Sequence, residues 1–228
     1  MSVIELKKVS KQFKIGDEVQ EILKPTDLVI NKSEFNAIVG PSGSGKSTLL
    51  TIIGALQKPS SGDIYINNQN LVEFNQKELS KLRFSEIGFI LQASNLVPYL
   101  TVKEQFELKY TVVGKKVDQQ RIDGLLDELS ISHLKNKYPE DISGGERQRV
   151  AIGLALVNEP KVILADEPTA SLDTNRSFEV IDIFKRISKE SQTTIIMVTH
   201  DVRMLDECDR VFEMKDGVLE EKEIHYSV

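Results

Sequence analysis

Cysteine is almost missing from this chain: Cys208 is the only one among 228 residues. A single thiol excludes an internal disulfide framework and any cysteine-cluster zinc or iron–sulfur site. Nothing therefore points to an oxidising compartment, and a cytosolic chain is the simpler expectation. Positive charge is also in short supply. Lys plus Arg number 29 against 35 Asp plus Glu, a net charge of −6. That is the wrong sign for a protein held to nucleic acid by its overall field, so no nucleic-acid partner is expected. No apolar run approaches the ~18 residues that a membrane-spanning helix needs. The longest runs, 151–157 and 195–198, are core-sized. The opening MSVIELKKVSKQF places Glu5, Lys7 and Lys8 where a secretory signal needs an unbroken apolar segment, and the chain is expected to stay where it is made.

What is present describes an ordinary globule: 40% apolar and 28% charged residues exclude disorder as the general state. At roughly 150 residues per domain the length allows one large domain, or a core with a modest subdomain. Either can bury about 70–75% of the unfolded surface.

Short strands separated by turn residues are expected at 3–8, 19–23, 26–30, 34–39 and 62–66, the last followed by Asn67-Asn68. The one helix expected in this third follows Gly45. There KSTLLTIIGALQK places Leu49, Leu50, Ile52, Ile53, Ala55 and Leu56 almost all round its circumference, and Pro59 stops it. Residues 93–157 change character, with helices expected at 102–110, 118–130 and 146–157 and breaks at Pro98, Gly114 and Pro139. Two flush-apolar runs, 162–165 and 193–198, then read as parallel strands covered on both faces, with a helix at 175–188 between them. Residues 210–214 and 218–221 flank Lys215-Asp216-Gly217, a hairpin signal. The fold class expected is α/β: a core with a mostly parallel sheet and a β subdomain (1–92 and 158–228), and a helical subdomain (93–157). There is no internal repeat, low-complexity tract or flexible linker.

Three phrases carry chemistry. GPSGSGKS, Gly40 to Ser47, lies between a buried strand and a buried helix, the context of a phosphate-binding P-loop. Gly43 and Gly45 let the backbone curl into an anion nest closed by the positive end of the helix. Lys46 is placed to reach the β- and γ-phosphates, and the Ser47 hydroxyl to bind Mg²⁺. In KVILADEPTASLD, the strand at 162–165 ends in adjacent acids at the carboxyl edge, where ligands of parallel sheets bind. Adjacent residues on an extended chain point to different sides. Asp166 can therefore face the water shell of Mg²⁺ while Glu167 faces the water attacking phosphorus. In SGGERQR, Ser143 can cap a helix, while Gly144 and Gly145 bare the backbone at a cost to helix stability that a simple cap would avoid. Alone the phrase is a weak signal that reads first as a helix cap.

Together these phrases resemble the nucleotide-binding subunit of an ABC transporter, and the likeness runs from Phe13 to Gly217. The family order is an aromatic adenine platform, P-loop, glutamine loop, Ser-Gly-Gly signature, acidic strand, Ser-Leu-Asp loop and switch histidine. The counterparts here are Phe13, Gly40 to Thr48, Gln92, Ile142 to Glu146, Val162 to Glu167, Ser171 to Asp173 and His200. The resemblance implies a P-loop ATPase with ATP and Mg²⁺ as ligands. ATP would be held by Phe13, Gly40, Ser42, Gly43, Ser44, Gly45, Lys46, Ser47, Thr48 and Gln92, and closed by Ser143, Gly144 and Gly145 of a second copy. It implies Mg²⁺ on Ser47, Gln92 and Asp166, and catalysis by Glu167, His200 and Lys46. The partners it implies are a homodimer mate and an integral-membrane permease, the subunit lying peripherally on the cytoplasmic face of the membrane. SNLVPYLTVKEQ, with Leu96, Val97 and Tyr99, lies where a permease's coupling helix would dock.

Four departures from the commonest family pattern stand out. The signature begins with Ile142 rather than Leu and ends in Glu146 rather than Gln, a form similar to macrolide-export and lipoprotein-release ATPases, while SNLVPYLTVKEQ is similar to haem-efflux ATPases. Leu154 stands where many relatives have Arg, and Phe13 where Tyr is more frequent. The likeness also admits a non-transport ATPase of the cell-division type that regulates a membrane partner. A DNA-repair member is disfavoured by the lack of a heptad insertion between Thr48 and Ile142, and a small-molecule kinase by the presence of the signature. His133 and His225 read as surface residues and Cys208 as an inert thiol.

Overall fold

The computed structural model describes residues 1–170 and 172–222; Ser171, which opens the expected Ser-Leu-Asp loop, and His225 lie outside them. The chain starts with two long antiparallel strands, β1 (Ser2–Ile15) and β2 (Glu18–Asn31). The expected break between 23 and 26 is not an end but an irregularity inside β2. Register shifts flank Val9 in the partner strand, and the Lys24 amide turns away to donate to the Gly217 carbonyl at 2.9 Å. Pro25, with no N–H, leaves no donor unpaired there, so the strand passes through it.

β3 (Phe35–Val39) is buried at all five residues and leads through the glycine loop into α1 (Lys46–Ile53). That helix ends six residues before Pro59, the expected stop: Gly54 closes it and Ala55 turns left-handed at φ 55°. β4 (Ser61–Ile66) and β5 (Gln69–Asn70) are joined by Asn67 and Asn68, both at positive φ, as the Asn-Asn turn predicts. The sequence reading missed α2 (Gln76–Glu86), because only Leu79 and Leu82 of it are buried. Its legible sign was at its start, where Asn75 and Glu78 form a reciprocal capping box.

β6 (Ile87–Ile90) precedes α3 (Val102–Val112), α4 (Gln119–Glu128) and α5 (Gly144–Leu156). β7 (Val162–Asp166), α6 (Thr174–Glu190), β8 (Thr194–Val198), β9 (Arg210–Lys215) and β10 (Val218–Lys222) follow. The strands form two sheets. One is antiparallel in the order β2-β1-β4-β5; the other runs β10-β9-β3-β8-β7-β6 and is parallel except at its β10 edge.

Alternation along the parallel strands divides the core. Phe35, Ala37, Ile163, Ala165, Ile195 and Met197 pack into one cluster with Phe106, Leu125, Val150 and Phe184 from α3 to α6. Ile38, Leu164, Ile196 and Val198 pack into the other with α1, α2 and the antiparallel sheet. Covering both faces explains why these strands read as unbroken apolar runs. Because β3, β6, β7 and β8 are parallel, Gly40, Gln92, Glu167 and His200 all follow strands that end at one edge of the sheet.

Candidate functional site

At that edge lies a cleft of about 460 Å³ lined by Gly40, Ser42, Gly43, Gly45, Lys46, Ser47, Thr48, Gln92, Asp166, Glu167 and His200, together with Ile22 and Val198. Eleven of these thirteen are residues that the sequence had singled out. Ile22 and Val198 were not, since a strand sequence gives no sign of which pairing brings one of its residues to the rim.

The loop between β3 and α1 is shaped by what surrounds it. Gly45 caps α1 at φ 107°, and a Cβ there would sit 2.7 Å from the Ile22 carbonyl oxygen. Only glycine meets both demands. The loop therefore turns inward and offers the first-turn N–H groups of α1 to the cleft, where a helix start favours an anion. Lys46 is buried, and its ammonium donates to the carbonyls of Gly40 and Pro41, both at 2.8 Å. Pro41 and Ser44 of the loop do not line the cleft; the Ser44 hydroxyl is buried facing Gly40 and has no hydrogen-bond partner.

Opposite the loop, the Ser47 hydroxyl donates to Asp166 Oδ1 at 3.4 Å. Burial pushes the Asp166 carboxyl above the usual carboxylate range, and the neighbouring Glu167 adds to this. The Ser47 hydrogen bond and the Lys46 charge oppose it. A half-buried carboxylate beside a hydroxyl and the Gln92 amide is a set of hard oxygen donors, which fits a small divalent cation that keeps several waters. Glu167 stands at φ 48°, with its N–H on the Val198 carbonyl at 2.9 Å. This left-handed step after β7 turns its carboxylate towards His200, whose Nδ1 is 2.8 Å from Glu167 Oε2. Strained backbone of this kind is concentrated at functional sites.

The remaining expected residues lie elsewhere. Phe13 is half-buried on β1 outside the lining of the cleft, with the Lys11 ammonium 5.1 Å over its ring. Ser143, Gly144 and Gly145 begin α5, also outside the cleft. There Ser143 Oγ accepts from the Glu146 N–H at 3.4 Å, while Glu146 Oε2 accepts from the Ser143 N–H at 2.7 Å. Hydrogen bonds to the carboxylate from the Ser143 side chain and from the Ser143 N–H hold the Glu146 carboxyl below its usual range. Ser143 and Glu146 thus form a capping box, which Gln at 146 would also complete. His133 is largely exposed, as expected, yet its Nε2 lies 3.3 Å from Glu146 Oε1. Leu154 packs against the larger core cluster. Tyr99 is 77% exposed, whereas Leu96 is partly buried against the core and Val97 is half-buried. Burial pushes the Cys208 thiol up to about 12, which leaves it inert. Among the described residues no helix is long and apolar enough to cross a membrane.

Comparison with known proteins shows what the chain as a whole is similar to. Residues 23–170 match the family described as ABC transporter. The "Putative hemin import ATP-binding protein HrtA" of Staphylococcus haemolyticus is 46% identical over 95% of this chain and 99% of its own length. The "Lipoprotein-releasing system ATP-binding protein LolD" of Saccharophagus degradans is 39% identical over 95% and 96%. Among solved structures, the ATP-binding cassette MJ0796 of Methanocaldococcus jannaschii superposes with a TM-score of 0.87 at 37% identity, over 97% of this chain and 100% of that one. It is described there as dimeric, in a post-hydrolysis state bound to ADP and Pi.

Proposed function

The chain belongs to the ABC transporter family as an ATP-binding subunit and ATPase, and from that premise we propose that two copies close on two ATP molecules and drive a separate membrane permease. One observation carries the reading. The cleft has a glycine-rich loop at a helix start, the hydrogen-bonded Ser47 and Asp166, and the Glu167–His200 pair, while the signature glycines begin a helix outside it. A second copy would supply them.

In this reading the N–H groups of the loop and the Lys46 ammonium hold the phosphate tail. Lys46 exchanges its two loop carbonyls for phosphate oxygens. Ser47, Asp166 and Gln92 would hold Mg²⁺, which supplies neutralisation of charge on the transferred phosphoryl group. Glu167 takes the proton of the attacking water, and His200 orients it by occupying Oε2, leaving Oε1 for the water. Phe13 stacks on the base from the β1–β2 hairpin.

Residues 93–157 are taken as the helical subdomain that meets the permease, with the exposed Tyr99 as a contact. The subunit then lies on the cytoplasmic face of the membrane. Export is the direction proposed, supported by Glu146 and by the lipoprotein-releasing relative, although the name of the hemin relatives says import. Purified protein should hydrolyse ATP in a Mg²⁺-dependent way and copurify with a membrane protein. Absence of ATP turnover in both the isolated and the membrane-bound form would refute the reading.

A further inference from the structure

Phe13, taken above as the platform for the base, has a charged neighbour on its own strand. Lys11 lies two residues earlier on β1, and residues two apart on a strand share a face. Its ammonium is 5.1 Å from the centroid of the Phe13 ring, within the range of a cation–ring contact. The same ammonium donates to the Lys58 carbonyl at 2.7 Å. Lys11 and Phe13 are both half-buried.

We propose that Lys11 is a positioning residue for the nucleotide base: its ammonium, held at once by the Lys58 carbonyl and by one face of Phe13, fixes the ring and prepares the ring's other face to stack on a purine. The inference rests on the reading of Phe13 as the platform.

Three physical points support it. The face of an aromatic ring is negative and so is the face of a purine, so repulsion between the two faces holds back an unaided stack. A cation over one face draws that negative charge towards itself and eases the approach of a base to the other. The ammonium is also anchored before any nucleotide arrives. A charge-assisted hydrogen bond such as that to the Lys58 carbonyl is roughly twice as strong as a neutral one, and a ring fixed in advance costs a ligand less to order. Finally, the segment that supplies this carbonyl is itself fastened to β1. The Gln12 N–H donates to Ser60 Oγ at 3.0 Å, the Ser60 N–H donates to the Ser10 carbonyl at 2.8 Å, and the Ser10 and Ser61 hydroxyls lie 2.7 Å apart in a hydrogen bond. That segment follows α1, the helix that begins at the glycine loop. Platform and loop are thereby held against one helix.

The test uses the full chain with Mg²⁺ and isothermal titration calorimetry. ADP is the probe that carries a base, and inorganic pyrophosphate is the probe that lacks one. Lys11→Met keeps the apolar stem and loses the charge. It should weaken ADP binding about three- to fivefold, the size of a cation–ring contact at an exposed site, and leave pyrophosphate binding within about twofold. Lys11→Arg, whose guanidinium can cover the ring, should bind ADP like the parent. In a Phe13→Ala background, Lys11→Met should cost less than about twofold more. Equal weakening of ADP and pyrophosphate would assign Lys11 to the phosphates or to the general packing of β1, and overturns the proposal. Tighter binding of ADP by Lys11→Met overturns it too, because the ammonium would then cover the face that the base uses. A Lys11→Arg protein as weak as Lys11→Met, or full additivity with Phe13→Ala, has the same effect. If Phe13→Ala itself binds ADP like the parent, the platform reading fails and the inference with it. If Phe13→Ala weakens ADP binding while Lys11→Met does not, the inference alone fails.

Discussion

His200 Nδ1 and Glu167 Oε2 lie 2.8 Å apart, and the same oxygen faces the His200 backbone N–H at 3.4 Å. The two residues follow β7 and β8, which are paired so that Asp166 sits opposite Val198. Parallel pairing thus brings an acid and an imidazole together from residues 33 apart in sequence. Glu167→Gln should retain ATP binding and lose about 10²-fold or more of kcat. Single-turnover measurement of phosphate formation checks this, and undiminished turnover would remove Glu167 from the role of base.

Asp166 gives a prediction with a worked sign. Its pKa is raised in the folded chain, chiefly by burial. The folded state therefore binds this proton more tightly than the unfolded one, and the associated stability falls as pH rises from the usual carboxylate pKa through the raised one. At neutral pH, without Mg²⁺ and nucleotide, Asp166→Asn should raise Tm while abolishing Mg²⁺-dependent turnover. A lower Tm in thermal unfolding would contradict the burial argument.

At Glu146 the capping box accommodates the departure from the commoner signature. Gln can accept from the Ser143 N–H just as Glu does, so Glu146→Gln should leave steady-state ATP turnover within about twofold. Glu146→Ala removes one half of the box and should cost about 1 kcal/mol in urea unfolding. The lowered pKa of Glu146 means that its contribution is present at neutral pH and is lost as pH falls through that lowered value.

How much of this was readable beforehand depends on whether the cause was local. The glycine loop, the acids where β7 ends and the Asn67-Asn68 turn are written in contiguous residues, and each was legible. The two-faced burial of β7 and β8 was legible because it leaves unbroken apolar runs. What stayed hidden depends on distant partners. Ile22 lines the cleft from a stretch of β2 whose Lys24 pairs with Gly217, and β2 passes through Pro25 opposite irregularities in β1. Helix α2 was hidden for another reason: it buries two leucines and otherwise reads as solvated.

Gly217 is a case of such distant control. Its N–H donates to the Ser44 carbonyl at 3.2 Å, its carbonyl accepts from Lys24, and its φ is 76°. A Cβ would lie 2.8 Å from the Ile22 carbonyl oxygen. Gly217→Ala should cost about 1 kcal/mol or more from the positive φ alone. It should also raise the KM for ATP more than it lowers kcat, because the loop and rim shift together. Steady-state kinetics beside thermal unfolding separates the two effects.

The most direct test mixes two inactive variants. Ser143→Arg blocks the signature and Lys46→Ala blocks the loop, so each protein alone should hydrolyse almost nothing. In a heterodimer, the intact Lys46 of one copy faces the intact Ser143 of the other. Equimolar random mixing should then restore about a quarter of the parent's rate, since half the dimers are mixed and each has one whole site. If differently tagged copies copurify as heterodimers and yet no activity returns, the site is not shared between two copies and the account fails.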